Sequence, residues 1–216
     1  MTKSKLELIS IKSAEILLDI GSININTNKL FKLTSGKLSP IYCDCRRIIS
    51  FPKQREKLMN FGVEIIRSQK SFSKITNISG GETAGIPFAS FLSTKLNLPM
   101  TYIRKDIKKF GGKKQIEGII KKNSNVILVE DLITDGGSKL NFVNALTKVN
   151  AKIDSIFVIF NYGIYEKFIP VSGKKINLLY LTSWKSILEV CKMKKILDEE
   201  QIKIVKVFLK ELGVKN

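Results

Sequence analysis

Between residues 75 and 183 the chain alternates short, almost continuous apolar runs with helix-patterned segments, and few architectures accept that rhythm. The segments "KITNIS", "PMTYIRK", "NVILVEDL", "IDSIFVIFN" and "INLLYLTS" read as strands. One helical pattern begins after Gly80-Gly81 in "ETAGIPFASFLSTKLN", and another spans 136–149. Strands that are apolar on both sides need cover on both faces, which helices between parallel strands supply. The expected fold class is therefore α/β, with a central, mainly parallel sheet flanked by helices. Upstream, residues 3–20 carry a helical stripe of Leu6, Ile9, Ile11, Ile16 and Leu17. The segment "KLFKLTSGKLSPIYCDCRRI" reads as two short strands around a Ser-Gly turn, with Cys43 and Cys45 alternating along the second. Ser50 is the expected cap of a helix reaching about Arg67, and two helices close the chain near 183–192 and 198–212. Residues 1–50 form a candidate N-terminal helix and hood, and residues 51–216 the α/β core, one structural domain overall.

Composition narrows the chemistry. The 216 residues include 37 Lys and Arg against 19 Asp and Glu, a formal charge of +18. The lysines are dispersed along the whole chain, which fits solvated faces and small anionic substrates better than a nucleic-acid tail. There is no histidine, so Ser-His and Cys-His nucleophilic catalysis are excluded. Three scattered cysteines cannot supply a zinc site and point to free thiols in a reducing compartment. No apolar run approaches the ~20 residues of a membrane span, and "MTKSKLELIS" lacks a signal-peptide core. The expectation is a cytoplasmic protein that engages neither membrane nor nucleic acid.

The segment "VILVEDLITDGGSKL", residues 126–140, carries the sharpest chemical signal. Ligands of a parallel sheet bind beyond the carboxyl ends of its strands, and Glu130 and Asp131 stand at such an end. Adjacent strand residues point to opposite faces, but where strand gives way to loop both acids can turn to one crevice. A carboxylate pair suits vicinal hydroxyls, as on ribose, or a metal ion. The "TDGGS" that follows offers backbone N–H groups, hydroxyls and a helix start, the ingredients of a phosphate cradle. Diol-binding acids followed by a phosphate cradle imply a sugar phosphate.

This stretch resembles the phosphoribosyl-pyrophosphate (PRPP) motif of type I phosphoribosyltransferases. Two further segments are similar to the orotate phosphoribosyltransferases among them: the hood "FKLTSGKLSPIYCDCR" at 31–46 and the loop "YIRKDIKKFGGKKQIEG" at 102–118. The resemblance, which runs from about residue 15 to 162, implies the type I phosphoribosyltransferase fold with a small N-terminal hood over the base site. It implies a pentosyl transfer from PRPP to orotate, giving orotidine 5'-monophosphate and pyrophosphate in pyrimidine biosynthesis. Glu130 and Asp131 would take the ribose hydroxyls, and Thr134, Gly136, Gly137 and Ser138 the 5-phosphate. Gly81, Glu82 and Thr83, within "SGGETAGIPFA", would meet pyrophosphate. Arg104, Lys105 and Lys108 would be the catalytic cations on a mobile loop, 104–118, with Gly111-Gly112 as its hinge. Tyr42, Cys43, Thr134 and Arg46 would contact orotate. Mg²⁺ would be held mainly by PRPP, with Asp131 a possible indirect ligand, and a homodimer would share the loop across its interface.

The chain also departs from the family pattern. Phe110 stands where many members have His, Thr34 and Ala84 where some have Lys, and "FNYG" lacks the Arg often used against the orotate carboxylate. Arg46 is the candidate replacement, since a planar fork suits a carboxylate. Asp135 is assigned no substrate contact. The competing readings are a phosphoribosyltransferase for another base, which should lack the 31–46 hood, and a nucleic-acid-binding regulator on the same fold.

Overall fold

The computed structural model describes residues 1–33, 36–107, 114–134, 137–171 and 173–214. Lys108, Phe110, Gly111, Gly112, Thr34, Asp135 and Gly136 lie outside the described residues.

Helix α1 (Lys3–Asp19) starts at Thr2, whose hydroxyl accepts the Lys5 N–H, and buries Ile9, Ala14 and Leu17. Strands β1 (Ile23–Ile25), β2 (Phe31–Lys32), β3 (Leu38–Ser39) and β4 (Ile41–Cys43) follow. They pair antiparallel as β1 with β4 and β2 with β3, two small ribbons separate from the main sheet. The second expected strand ends early. The Asp44 carboxylate accepts the Arg46 N–H, and Cys45–Ser50 winds into a 3₁₀ turn, so Cys45 is buried from a turn and not from a strand. Helix α2 (Pro52–Arg67) takes Phe51 as its cap, with Pro at the first turn and no side-chain capping bond. Ser50 is thus not the cap, because Pro52 keeps the residue before it out of helical geometry and sets the boundary there.

The core elements are β5 (Asn77–Gly81), α3 (Gly85–Leu96), β6 (Met100–Ile103), β7 (Ile116–Glu117), β8 (Asn125–Ile133), α4 (Gly137–Lys148), β9 (Lys152–Asn161), β10 (Phe168–Val171), β11 (Lys174–Ser183), α5 (Trp184–Met193) and α6 (Glu199–Glu211). Among the described residues they build a seven-stranded sheet in the order β10-β11-β9-β8-β5-β6-β7. Its five middle strands are parallel, and the two edge strands run antiparallel to their neighbours. Both edge strands escaped the sequence pattern, because β7 is two residues long and β10 is four with Pro170 inside it, a residue that argues against a strand except at an edge.

On one face Ile127 and Val129 of β8 pack with Phe88, Ala89 and Leu92 of α3. On the other, Val126 and Leu128 meet Phe142, Val143 and Leu146 of α4. Trp184 is buried, with Phe160 edge-on at 5.3 Å and Tyr162 at 5.8 Å. From β5 the chain steps outward to β6, then returns past β5 to β8 and winds on to β9 and β11. The winding direction reverses between β5 and β8. At such a reversal the loops leave in opposite directions and a crevice opens beyond the carboxyl ends of the strands.

Candidate active site

A cavity of about 880 Å³ occupies that crevice, lined by Arg46, Glu82, Thr83, Ala84, Lys105, Asp106, Glu130, Asp131 and Asn141 among others. Four separate segments meet there: the turn after β4, the β5–α3 loop, the chain leaving β6, and the end of β8 with α4 behind it.

Strand β8 runs through both acids to Ile133, one residue beyond the expected strand "NVILVEDL". Glu130 and Asp131 consequently diverge, as strand neighbours must, yet both line the same cavity. Glu130 is buried, and its Oε2 accepts a 2.7 Å hydrogen bond from Lys139 Nζ, itself only 8% exposed. Its Oε1 is buried without a hydrogen-bond partner among the described residues. That oxygen sits in a slot between two glycines: a Cβ on Gly81 would lie 2.1 Å from it, and one on Gly85 2.6 Å. Burial pushes the Glu130 carboxyl above the ordinary range, while Lys139 and Lys105 pull it back. Asp131 is half-buried and turned toward the hood. Its Oδ1 accepts the Leu132 N–H at 2.8 Å. Burial also raises its carboxyl, against the charges of Lys139 and Arg46.

The β5–α3 loop presents Glu82, Thr83 and Ala84 to the cavity, with a cis peptide between Glu82 and Thr83. Glu82 Oε2 accepts the Lys105 N–H at 2.7 Å, tying this loop to the chain leaving β6. Lys105 lines the cavity. Arg104 does not reach its wall; its Nη1 lies 3.8 Å from Glu117 Oε1, and its backbone N–H bonds Gln115 across the β6–β7 ladder. The base of the 104–118 segment is clasped from both sides. Asn141 Nδ2 donates to the Lys105 carbonyl at 2.6 Å, and Gln115 Nε2 donates to Asn141 Oδ1 at 3.2 Å and to the Arg104 carbonyl at 3.1 Å.

From the hood, Arg46 reaches the cavity while its Nε donates to Asp44 Oδ1 at 2.8 Å. Its terminal nitrogens make no further hydrogen bond among the described residues. Tyr42, 38% exposed, stacks near Phe31, with ring centroids 5.9 Å apart. Cys43 and Cys45 place their sulfurs 3.6 Å apart, and all three cysteines are free thiols. The hydrogen bond with Cys43, and burial, hold the Cys45 thiol well above its usual range. Of the phosphate-cradle residues, Gly137 and Ser138 open α4, and Thr134 is exposed at the end of β8.

The structure therefore gathers Glu82, Thr83, Lys105, Glu130, Asp131 and Arg46 around one cavity and leaves Arg104 at its flank. Sequence reasoning missed Lys139, Gln115 and Asn141. Lys139 had a visible signal, since it directly follows the Gly/Ser loop and falls on the first turn of its helix. Gln115 and Asn141 had none, because their partnership is purely tertiary.

The arrangement has relatives. Residues 56–207 match the phosphoribosyl transferase domain. The orotate phosphoribosyltransferase of Ruegeria sp. is 42% identical over 95% of this chain and 91% of its own length. That of Rhizobium rhizogenes is 37% identical over 97% and 90%. Among solved structures, Leishmania donovani UMP synthase superposes with a TM-score of 0.73 at 24% identity, covering 93% of this chain and 42% of that one. The Aeropyrum pernix orotate phosphoribosyltransferase superposes at 0.67 and 23%, covering 83% of this chain and 98% of that one. The structural likenesses speak for the fold; the sequence identities, spread over nearly the whole chain, speak for more. The chain belongs to the orotate phosphoribosyltransferases within the phosphoribosyl transferase domain family.

Proposed function

We propose that the protein transfers the phosphoribosyl group of PRPP to orotate, releasing pyrophosphate and forming orotidine 5'-monophosphate. The observation that carries this reading is the convergence, at the β5/β8 reversal, of an acid pair, a Glu82–Ala84 loop, a lysine-bearing segment and an arginine from the hood on one cavity. A bond forms between a pyrimidine nitrogen and the anomeric carbon of the ribose. The bond from that carbon to pyrophosphate breaks, and its electron pair leaves with the pyrophosphate. Deprotonated orotate is already a nucleophile, so a chain without histidine lacks nothing for this step.

Asp131 offers its remaining oxygen to the ribose hydroxyls, and Glu130 lines the same wall with its carboxylate engaged by Lys139. Thr134 with the start of α4 receives the 5-phosphate, where N–H groups and the helix dipole favour an anion. Backbone of the Gly81–Thr83 loop faces the pyrophosphate. Lys105, with Arg104 and Lys108 of the same loop, offsets the charge building on the leaving group; loss of one such cation costs on the order of 10²–10³ in rate. Arg46 meets the orotate carboxylate through its unbonded nitrogens, beside Tyr42 and Cys43.

The oxygen-donor character of the cavity suits Mg²⁺. Mg²⁺ would be carried mainly by PRPP oxygens, with Asp131 beside it. When bound, the ion neutralises charge on the diphosphate. A homodimer sharing the loop, and a cytoplasmic location in keeping with free thiols, belong to the same reading. No described helix is long and apolar enough to cross a membrane.

The test is direct: protein, PRPP and Mg²⁺ are mixed with orotate, uracil, adenine and hypoxanthine, and base consumption is followed. Consumption of orotate alone is expected. Consumption of a purine or uracil without orotate would overturn the assignment.

A further inference from the structure

Lys139 is a buried cation, and the reaction scheme above gives it no contact with substrate. It lies on the first turn of α4, just beyond the segment that would receive the 5-phosphate. Its ammonium holds Glu130 Oε2 at 2.7 Å, with both side chains less than a tenth exposed. The other carboxylate oxygen, Oε1, fills the space between Gly81 and Gly85. Those glycines bracket the Glu82–Ala84 loop, which would receive the pyrophosphate. Any side chain at either position would collide with the carboxylate, and at Gly85 also with the Val129 carbonyl, 2.2 Å from a Cβ. The Lys139–Glu130 pair thus links the first turn of α4 to the glycines that flank the Glu82–Ala84 loop.

On the reading that the cavity binds PRPP, we propose that Lys139 is a positioning residue which, through Glu130, sets the separation between the 5-phosphate and pyrophosphate subsites. PRPP carries an anion at each end of a short, rather rigid sugar. It gains from both subsites only when their spacing matches its own, because binding the second end is then intramolecular. A buried ion pair is weak as a source of stability but strong as a determinant of geometry: each partner is costly to leave unpaired, so the two stay together. The pairing accounts for the burial of Lys139 and, with Phe142, for glycine at 81; at Gly85 the Val129 carbonyl adds its own demand.

The experiment compares PRPP with its two halves. Binding of PRPP, ribose 5-phosphate and pyrophosphate, each with Mg²⁺, is measured by calorimetry for the wild type, Lys139→Met and the double variant Glu130→Gln/Lys139→Met. The double variant removes both partners of the pair and keeps the test available if the single one fails to fold. The expected result is a 10- to 100-fold loss of PRPP affinity, the range for a lost charge-assisted hydrogen bond, with each half bound within about threefold of wild type. Unchanged PRPP affinity would overturn the proposal. So would equal weakening of all three ligands, which is the signature of a direct charge contact or of general damage. Orotate takes no part in the assay. A wild type that binds PRPP no better than its halves would instead sink the reading on which the proposal rests.

Discussion

Replacing Gly81 by Ala places a methyl group where the structure has none to spare. The added carbon would stand 2.1 Å from Glu130 Oε1, 2.8 Å from Glu130 Cδ and 2.6 Å from Phe142 Cε2. Ordinary carbon contacts begin near 3.5 Å, so the carboxylate must retreat by about 1 Å or more. Phe142 cannot yield in its place, because it is buried against α4's neighbours in the second core cluster. A retreat of that size breaks the 2.7 Å bond to Lys139. The loss of a buried charge-assisted hydrogen bond costs about 1.5–3 kcal/mol, and crowding of the core costs a further 1–3 kcal/mol or so. The combined penalty is about 3–5 kcal/mol, and at roughly 2–4 °C per kcal/mol for a chain of this size Tm should fall by about 10 °C. Thermal melts of Gly81→Ala against wild type check this, together with KM for PRPP, which should rise. Gly173→Ala is the control: it lies at φ +76° with nothing within 4 Å of its Cβ, so it reports the backbone cost alone, about 1–2 kcal/mol. A Gly81→Ala protein melting within about 2 °C of wild type, with unchanged PRPP kinetics, would refute the slot and the link built on it.

Three further outcomes follow from the same geometry. Burial raises the Asp131 carboxyl above its unfolded value near 3.9, so the folded state binds the extra proton and stability falls as pH climbs through that window. Asp131→Asn should therefore melt higher than wild type at pH 7, with the gain vanishing toward pH 4, while activity is lost; a lower Tm at pH 7 would contradict the sign. Asn141→Ala removes the 2.6 Å bond to the Lys105 carbonyl and the partner of Gln115, about 1–3 kcal/mol in total. Hydrogen exchange should then quicken at 104–106 and 114–117 and not in β8, which uniform protection would disprove. Trp184→Ala empties a site packed by Phe160 and Tyr162 and should cost about 3–5 kcal/mol in denaturant melts with little change in KM for either substrate.

The α/β class, the parallel strands and the place of the acid pair were legible because each rests on local pattern. An apolar run must be buried, and a ligand site on such a sheet must lie at a strand's end. Pro52 displaced the α2 cap, and the Asp44 side chain turned the end of the hood strand into a 3₁₀ turn; both follow from short-range chemistry that a coarser reading passes over. The edge strands β7 and β10 could not be seen in advance, since an edge strand is made by its neighbour's free hydrogen-bonding groups more than by its own residues.

The sequence by itself determined that two acids followed by a Thr/Gly/Ser loop stand at the carboxyl end of a buried strand, a pattern whose residue types suit a phosphorylated diol. Only the tertiary structure distinguished the two acids. Strand β8 continues through both of them, which sends Asp131 toward the hood and Glu130 into the glycine slot against Lys139. It also brought Gln115 and Asn141, 26 residues apart, to the base of one loop. Such partnerships depend on which strands become neighbours in space, and the local pattern along a chain carries no record of that.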